Sequence, residues 1–99
     1  MPHLKWSDRA GADLARLYDF LEEKSPSAAE RAIAKIEKAA DGLEAFPQSG
    51  RLVVDEGVEL RKLPVPFSSS GYLIFYRIDG DTVTILWLDH MREQPNQNP

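Results

Sequence analysis

The chain has 99 residues, a formal net charge of −4, a pI near 5.1 and no cysteine. That length holds one domain around one core, and the missing thiols exclude disulfides, cysteine nucleophiles and thiolate metal sites together. The acidic balance argues against general nucleic-acid binding, whose affinity comes largely from basic contacts to phosphate.

No basic half is hidden by the average. Residues 1–46 carry seven basic and nine acidic side chains, and residues 47–99 carry five and seven. No apolar run approaches the roughly 20 residues that span a bilayer, and MPHLKW does not read as a signal peptide. A cytoplasmic, soluble domain over residues 1–95 is expected, with 96–99 as a fraying tail.

In chain order, residues 3–6 (HLKW) alternate as an opening strand. Ser7 caps a helix with Asp8 in its first turn, where the helix dipole favours a negative charge. Ala10, Leu14, Leu17, Tyr18 and Leu21 fall within an arc of about 100°, a core-facing stripe. Ser25-Pro26 stops this helix near Lys24 and starts the next, with Ser25 as cap and Pro26 at the first helical position. Ala29, Ile33, Ile36, Ala40 and Leu43 form its stripe, and the alanines around them allow close approach, so the two helices read as an antiparallel hairpin.

Phe46-Pro47 ends the helical region, and the hydrophobic period then changes. Arg51–Gly57 reads as a loop, Glu59–Val65 as a strand limited by Pro64, and PFSSSG (66–71) as a flexible loop. Tyr72–Ile78 and Thr82–Leu88 form a hairpin around Asp79-Gly80, a type I′ turn signal. The order is β-αα-βββ, an α+β fold with the helical hairpin on one face of an antiparallel sheet.

A two-residue Asp79-Gly80 turn would pair Ile78 with Asp81, Tyr76 with Val83, Ile74 with Ile85 and Tyr72 with Trp87. That more apolar face is assigned to the helices. The other face would then hold Leu73, Phe75, Arg77, Thr82, Thr84, Leu86, Leu88 and His90. It is too apolar for bare surface, so a partner should cover it. Trp87, Tyr72 and Tyr76 are expected in the core rather than stacked on a base.

Five segments, in order, resemble the RelE/ParE superfamily of small bacterial toxins, and most of all its ParE branch. They are Leu14, Leu17 and Tyr18-Asp19-Phe20-Leu21; Ala28-Ala29 with Ile33; Phe46-Pro47-x-x-Gly50-Arg51; Glu59-Leu60-Arg61; and YLIFYRI followed by ILWLDHMR. Together they cover about residues 6–95. The resemblance implies the toxin of a type II toxin–antitoxin pair, which inhibits growth by poisoning DNA gyrase through protein contact and is neutralised by a cognate antitoxin, with a toxin–antitoxin hetero-oligomer among the expected assemblies. Leu73, Phe75, Arg77, Leu86 and Leu88 would meet the antitoxin. Arg51, Arg61, His90 and Arg92 would meet the target.

Two other readings stay open. A RelE-like, ribosome-dependent mRNA endonuclease would use His90 as general acid–base with Arg61, Arg77 and Arg92 around the phosphate. A degenerate family member would bind its partner without toxicity. The acidic pI disfavours the enzyme, because the ribosome is a polyanion. Each arginine also has a plainer role: Arg51 bonding loop carbonyls, and Arg61 and Arg77 paired with Glu59, Asp55 or Asp89. Neither metal-ligand spacing nor a phosphate-cradling glycine loop is present, so no metal and no cofactor are expected.

Overall fold

The computed structural model describes residues 3–93; the expected fraying of 96–99 lies outside them. Strand β1 (His3–Trp6) leads into helices α1 (Asp8–Glu22) and α2 (Pro26–Gly42), followed by β2 (Arg51–Asp55), β3 (Val58–Phe67), β4 (Ser70–Asp79) and β5 (Thr82–His90). The strands form one sheet in the order β1-β5-β4-β3-β2. Both helices pack on one face of it, as the hydrophobic stripes predict. The sheet is mixed rather than antiparallel, since β1 runs parallel to β5.

Both predicted caps are in place. The Ser7 and Ser25 hydroxyls accept from the Ala10 and Ala28 amides at 3.0 and 3.2 Å. Ala10, Ala29, Ala32 and Ala40 are wholly buried, so the layers meet at small side chains. Ile36 and Leu43 then reach Ile74, Tyr76, Val83, Ile85 and Leu88 in a single core between helices and sheet.

Two segments expected as loops belong to the sheet. Residues 51–55 pair with β3, Asp55 opposite Val58, around a two-residue turn. Both turn residues, Glu56 and Gly57, take positive φ, as a type I′ turn requires. This strand is exposed along most of its length, so it has no burial period to read. PFSSSG is likewise a tight Ser68-Ser69 turn, with Phe67 opposite Ser70. Pro64 is accommodated because β2 reaches β3 only as far as Lys62. Beyond that point β3 is in effect an edge, where a missing N–H costs nothing.

The β4–β5 hairpin departs from the expected register in two ways. Its turn is Gly80-Asp81, not Asp79-Gly80, with Asp79 opposite Thr82. Among these turn residues only Gly80 takes positive φ, which suits a type II′ turn with glycine first. Ile78 therefore faces Val83 and Tyr76 faces Ile85. The slip of two residues between the strands leaves the side-chain faces unchanged up to Ile85.

A bulge then changes them. Tyr76 is opposite Ile85 but Phe75 is opposite Trp87, so Leu86 is the extra residue. Past it, side chains on β5 exchange faces. Trp87 moves to the open face, and Leu88, expected there, turns into the core and is fully buried. The bulge lies just beyond the end of β1, where β5 loses its neighbour. Helix α1 supplies the missing partners: the Ser7 hydroxyl donates to the Leu86 carbonyl at 2.7 Å, and the Leu88 amide donates to the Asp13 carboxylate at 3.0 Å.

Candidate functional site

The face of the sheet away from the helices carries a second apolar cluster. Leu60, Leu73 and Phe75 form its centre, flanked by half-buried Val53, Leu86, Trp87 and Met91. Phe75 and Trp87 stack with centroids 4.6 Å apart and planes 16° from parallel. The Arg9 guanidinium reaches around the sheet edge to sit 4.8 Å from the Trp87 ring centroid, a cation–π contact. A shallow depression of about 330 Å³ runs from Val53 and Leu60 to Phe75 and Trp87, with Lys62 and Asp89 on its margins.

Leu73, Phe75 and Leu86 lie on this open face, where the alternation placed them. Leu88 is corrected to the core, and Trp87 takes its place outside. Arg77 is exposed, with its Nε 2.6 Å from the Asp79 carboxylate. The anticipated ion pair exists with a different acid, two residues along the same strand.

Arg61 and Gly50 belong to a different structure. The buried Tyr76 phenol donates to the Pro47 carbonyl and accepts from the Gly50 amide, both at 2.7 Å. Arg61 Nη1 donates to the Gly50 carbonyl at 2.8 Å. The Pro47-to-Gly50 loop is thus pinned to the sheet by one phenol and one guanidinium. A Cβ on Gly50 would lie 2.7 Å from the Tyr76 ring, so no larger residue fits without moving the ring. Arg61 pairs with backbone rather than with the acids proposed for it, and Arg51 is exposed at the start of β2.

Burial raises the pKa of both Tyr72 and Tyr76; at Tyr76 the Gly50 amide and the nearby Arg61 oppose that rise. A phenol whose folded pKa is raised is protonated more readily in the folded state. Its stabilising contribution is complete below the ordinary tyrosine value of about 10 and is lost as pH climbs through the folded pKa. Thermal melts should therefore show a falling Tm above about pH 10, and Tyr72→Phe should reduce that slope. An unchanged slope in Tyr72→Phe would remove Tyr72 from the explanation.

His90 and Arg92 sit at the opposite end of the sheet from the hairpin tip. They close a groove of about 600 Å³ with α1, floored by Leu17, Phe20, Leu21 and Tyr72 and rimmed also by Arg16 and Lys24. His90 stands edge-on to Tyr72 at 5.2 Å. Its Nδ1 accepts from the Arg92 amide at 3.0 Å, which places the neutral ring's proton on Nε2. Phe20 is 57% exposed, with the Lys24 ammonium 5.1 Å from its ring.

His90, Arg61, Arg77 and Arg92 are therefore not gathered into one constellation. His90 is opposite Tyr72, and Arg61 is opposite Tyr76, roughly 13 Å further along β4. Arg77 projects from the other face. His90 and Arg92 remain adjacent, beside Arg16 and Lys24. Sequence reasoning missed this groove because Arg16 on α1 and Lys24 just past its end read as parts of a solvated face. Among the described residues no cluster of His, Asp or Glu could hold a metal ion, and no helix is long and apolar enough to cross a membrane.

A helical hairpin thus covers one face of a five-stranded mixed sheet, and an apolar face stays open opposite. The family described as the ParE toxin of the type II toxin–antitoxin system parDE matches residues 4–95, and the chain belongs to that family, within the RelE/ParE superfamily. It is 39% identical to Toxin RelE1 of Caulobacter vibrioides over 88 residues, covering 89% of this chain and 91% of the relative. It is 34% identical to Toxin RelE3 of the same organism, covering 95% and 99%. Among solved structures it resembles a chain of the chromosomal ParDE system of P. aeruginosa, with TM-score 0.73, 28% identity and coverage of 92% and 97%. A chain of the toxin–antitoxin complex RelBE2 from Mycobacterium tuberculosis aligns with TM-score 0.64 and 26% identity, covering 91% and 99%. The names span both branches of the superfamily, so the fold is common to them and the target is a separate question.

Proposed function

We propose that this toxin acts by binding and poisoning DNA gyrase through protein contact, and that a cognate antitoxin neutralises it by covering the open face of the sheet. The observation that carries the contact reading is the dispersal of the ionic side chains. A ribonuclease must hold base, acid and phosphate-binding cations within hydrogen-bond reach of one phosphate. Here Arg61 secures a loop, Arg77 lies on the opposite face beside Asp79, and His90 sits a dozen or so ångströms along the strand. A net charge of −4 also gives no electrostatic steering toward a ribosome.

The antitoxin reading rests on the cluster around Phe75 and Trp87. A stacked aromatic pair beside aliphatic side chains suits the apolar anchors of a partner segment, with Arg77 at its rim. Both solved relatives named above come from toxin–antitoxin systems, which supports a partner of the same kind.

Supercoiling by purified gyrase with ATP and rising toxin tests the target. Inhibition with accumulation of linear plasmid is expected. Undiminished supercoiling at large molar excess overturns the gyrase reading. One observation favours the second reading, ribosome-dependent mRNA cleavage: His90 and Arg92 share a cationic groove with Arg16 and Lys24. In that case a translation reaction would yield cut mRNA, and His90→Ala would abolish the cutting.

A further inference from the structure

Strand β2 ends the sheet, and among the described residues β3 is its only strand neighbour. Its sequence, Arg51-Leu-Val-Val-Asp55, has a basic residue at one end, an acidic residue at the other and three aliphatic residues between. Leu52 is 50% exposed and Val54 68% exposed. An uncovered apolar edge of this kind is a template for another strand, and folds usually blunt it with charge, proline or a bulge. Here the charges stand only at the ends.

We propose that β2 is the seat of a symmetric dimer, in which two copies pair their β2 strands antiparallel about Val53 and join their sheets into one. The tight turn at Glu56-Gly57 determines which register is open. A two-residue turn closes on a hydrogen-bonded pair, Asp55 with Val58. Alternation along the strand then turns the backbone groups of Asp55, Val53 and Arg51 toward β3 and those of Leu52 and Val54 toward the free edge. With Val53 on the two-fold axis, Leu52 of one copy meets Val54 of the other, and their outward N–H and C=O groups bond in both directions.

The side chains fit the same register. Arg51 of each copy stands opposite Asp55 of the other, at a non-hydrogen-bonded position where side chains approach most closely. Val53 meets Val53 on the open face, which extends the apolar cluster around Leu60, Leu73 and Phe75 across the junction. Leu52 and Val54 cover each other on the opposite face. Other antiparallel registers that keep Leu52 and Val54 bonded leave Arg51 and Asp55 without opposite charges. The interface is isologous, so it closes at two copies rather than growing into a fibre. Five paired residues make a small contact, below the size of a permanent interface, and the association is weak and concentration-dependent. It does not depend on the gyrase reading, because supercoiling and self-association are measured separately.

Sedimentation velocity on the purified chain, from low to high micromolar concentration, tests it, with circular dichroism checking that each variant is folded. The expected result is a monomer–dimer equilibrium. Arg51→Asp weakens it roughly tenfold by placing like charges opposite at both ends, and R51D/D55R restores it. Val54→Pro removes an outward N–H and abolishes it without touching the bond to β3. Because the chain has no cysteine, Val53→Cys provides an independent readout. Paired Cα atoms roughly 4.5 Å apart allow a disulfide, so V53C should oxidise to a covalent dimer, whereas L52C should not. A monomer at every concentration, a dimer indifferent to R51D and V54P, failure of R51D/D55R to restore association, or L52C cross-linking as readily as V53C overturns the proposal.

Discussion

Leu88→Asp is expected to unfold the domain, while the same change one residue earlier, Trp87→Asp, leaves it folded. Leu88 is fully buried between helices and sheet. Truncating a buried leucine costs about 2–5 kcal/mol, and an unpaired carboxylate adds a further penalty. A domain of this size has only about 5–15 kcal/mol in total. Trp87 is half-exposed on the open face, and its loss removes a ring stack and one cation–π contact, together about 2 kcal/mol. Circular dichroism and thermal melts distinguish the outcomes. A folded Leu88→Asp protein would mean that the bulge at Leu86 is absent.

The Trp87 variant also probes partner binding. An aromatic anchor at the centre of an interface typically contributes 2 kcal/mol or more, so antitoxin affinity should fall at least about thirtyfold. Titration calorimetry with the cognate antitoxin reads this directly. Unchanged affinity in a folded Trp87→Asp protein would place the antitoxin on another surface.

The second large effect is expected at Tyr76. Its phenol is bonded at 2.7 Å to both the Gly50 amide and the Pro47 carbonyl, and Tyr76→Phe leaves the buried amide and the part-buried carbonyl without that partner. An orphaned buried group costs about 1–3 kcal/mol. The variant should lose about 3 kcal/mol, which for a domain of this size lowers Tm by roughly 12–20 °C. Gly50→Ala should come close to this from the other side, because its Cβ would strike the Tyr76 ring. Since the two act on one contact, the double variant should lose much less than the sum. Strict additivity in denaturant melts would show that the loop is held by something else.

The cap at Ser7, the helix break at Ser25-Pro26 and the two helical stripes were legible in the sequence because each is a local rule. A hydroxyl capping an amide three residues on, a proline at a helix start and a 3.6-residue period need no knowledge of the rest of the chain. The alternation in β4 was legible for the same reason, and so was an open apolar face containing Leu73 and Phe75. The family resemblance, carried by short motifs in order, was legible as well.

What only the tertiary structure decided depends on pairing partners rather than on the pattern of a single segment. Residues 51–55 are a strand because β3 pairs with them, and an edge strand in which only Val53 is half-buried has too little burial pattern to reveal it. The exchange of Trp87 and Leu88 follows from one extra residue at Leu86. That bulge is supported by Ser7 and Asp13, some 75–79 positions away in the chain. Arg61 looked like a cation available for a target, and the fold instead uses it to hold the Gly50 carbonyl. Periodicity reports which side chains share a face only while pairing stays regular, and a partner's hydrogen bonds decide where that regularity ends.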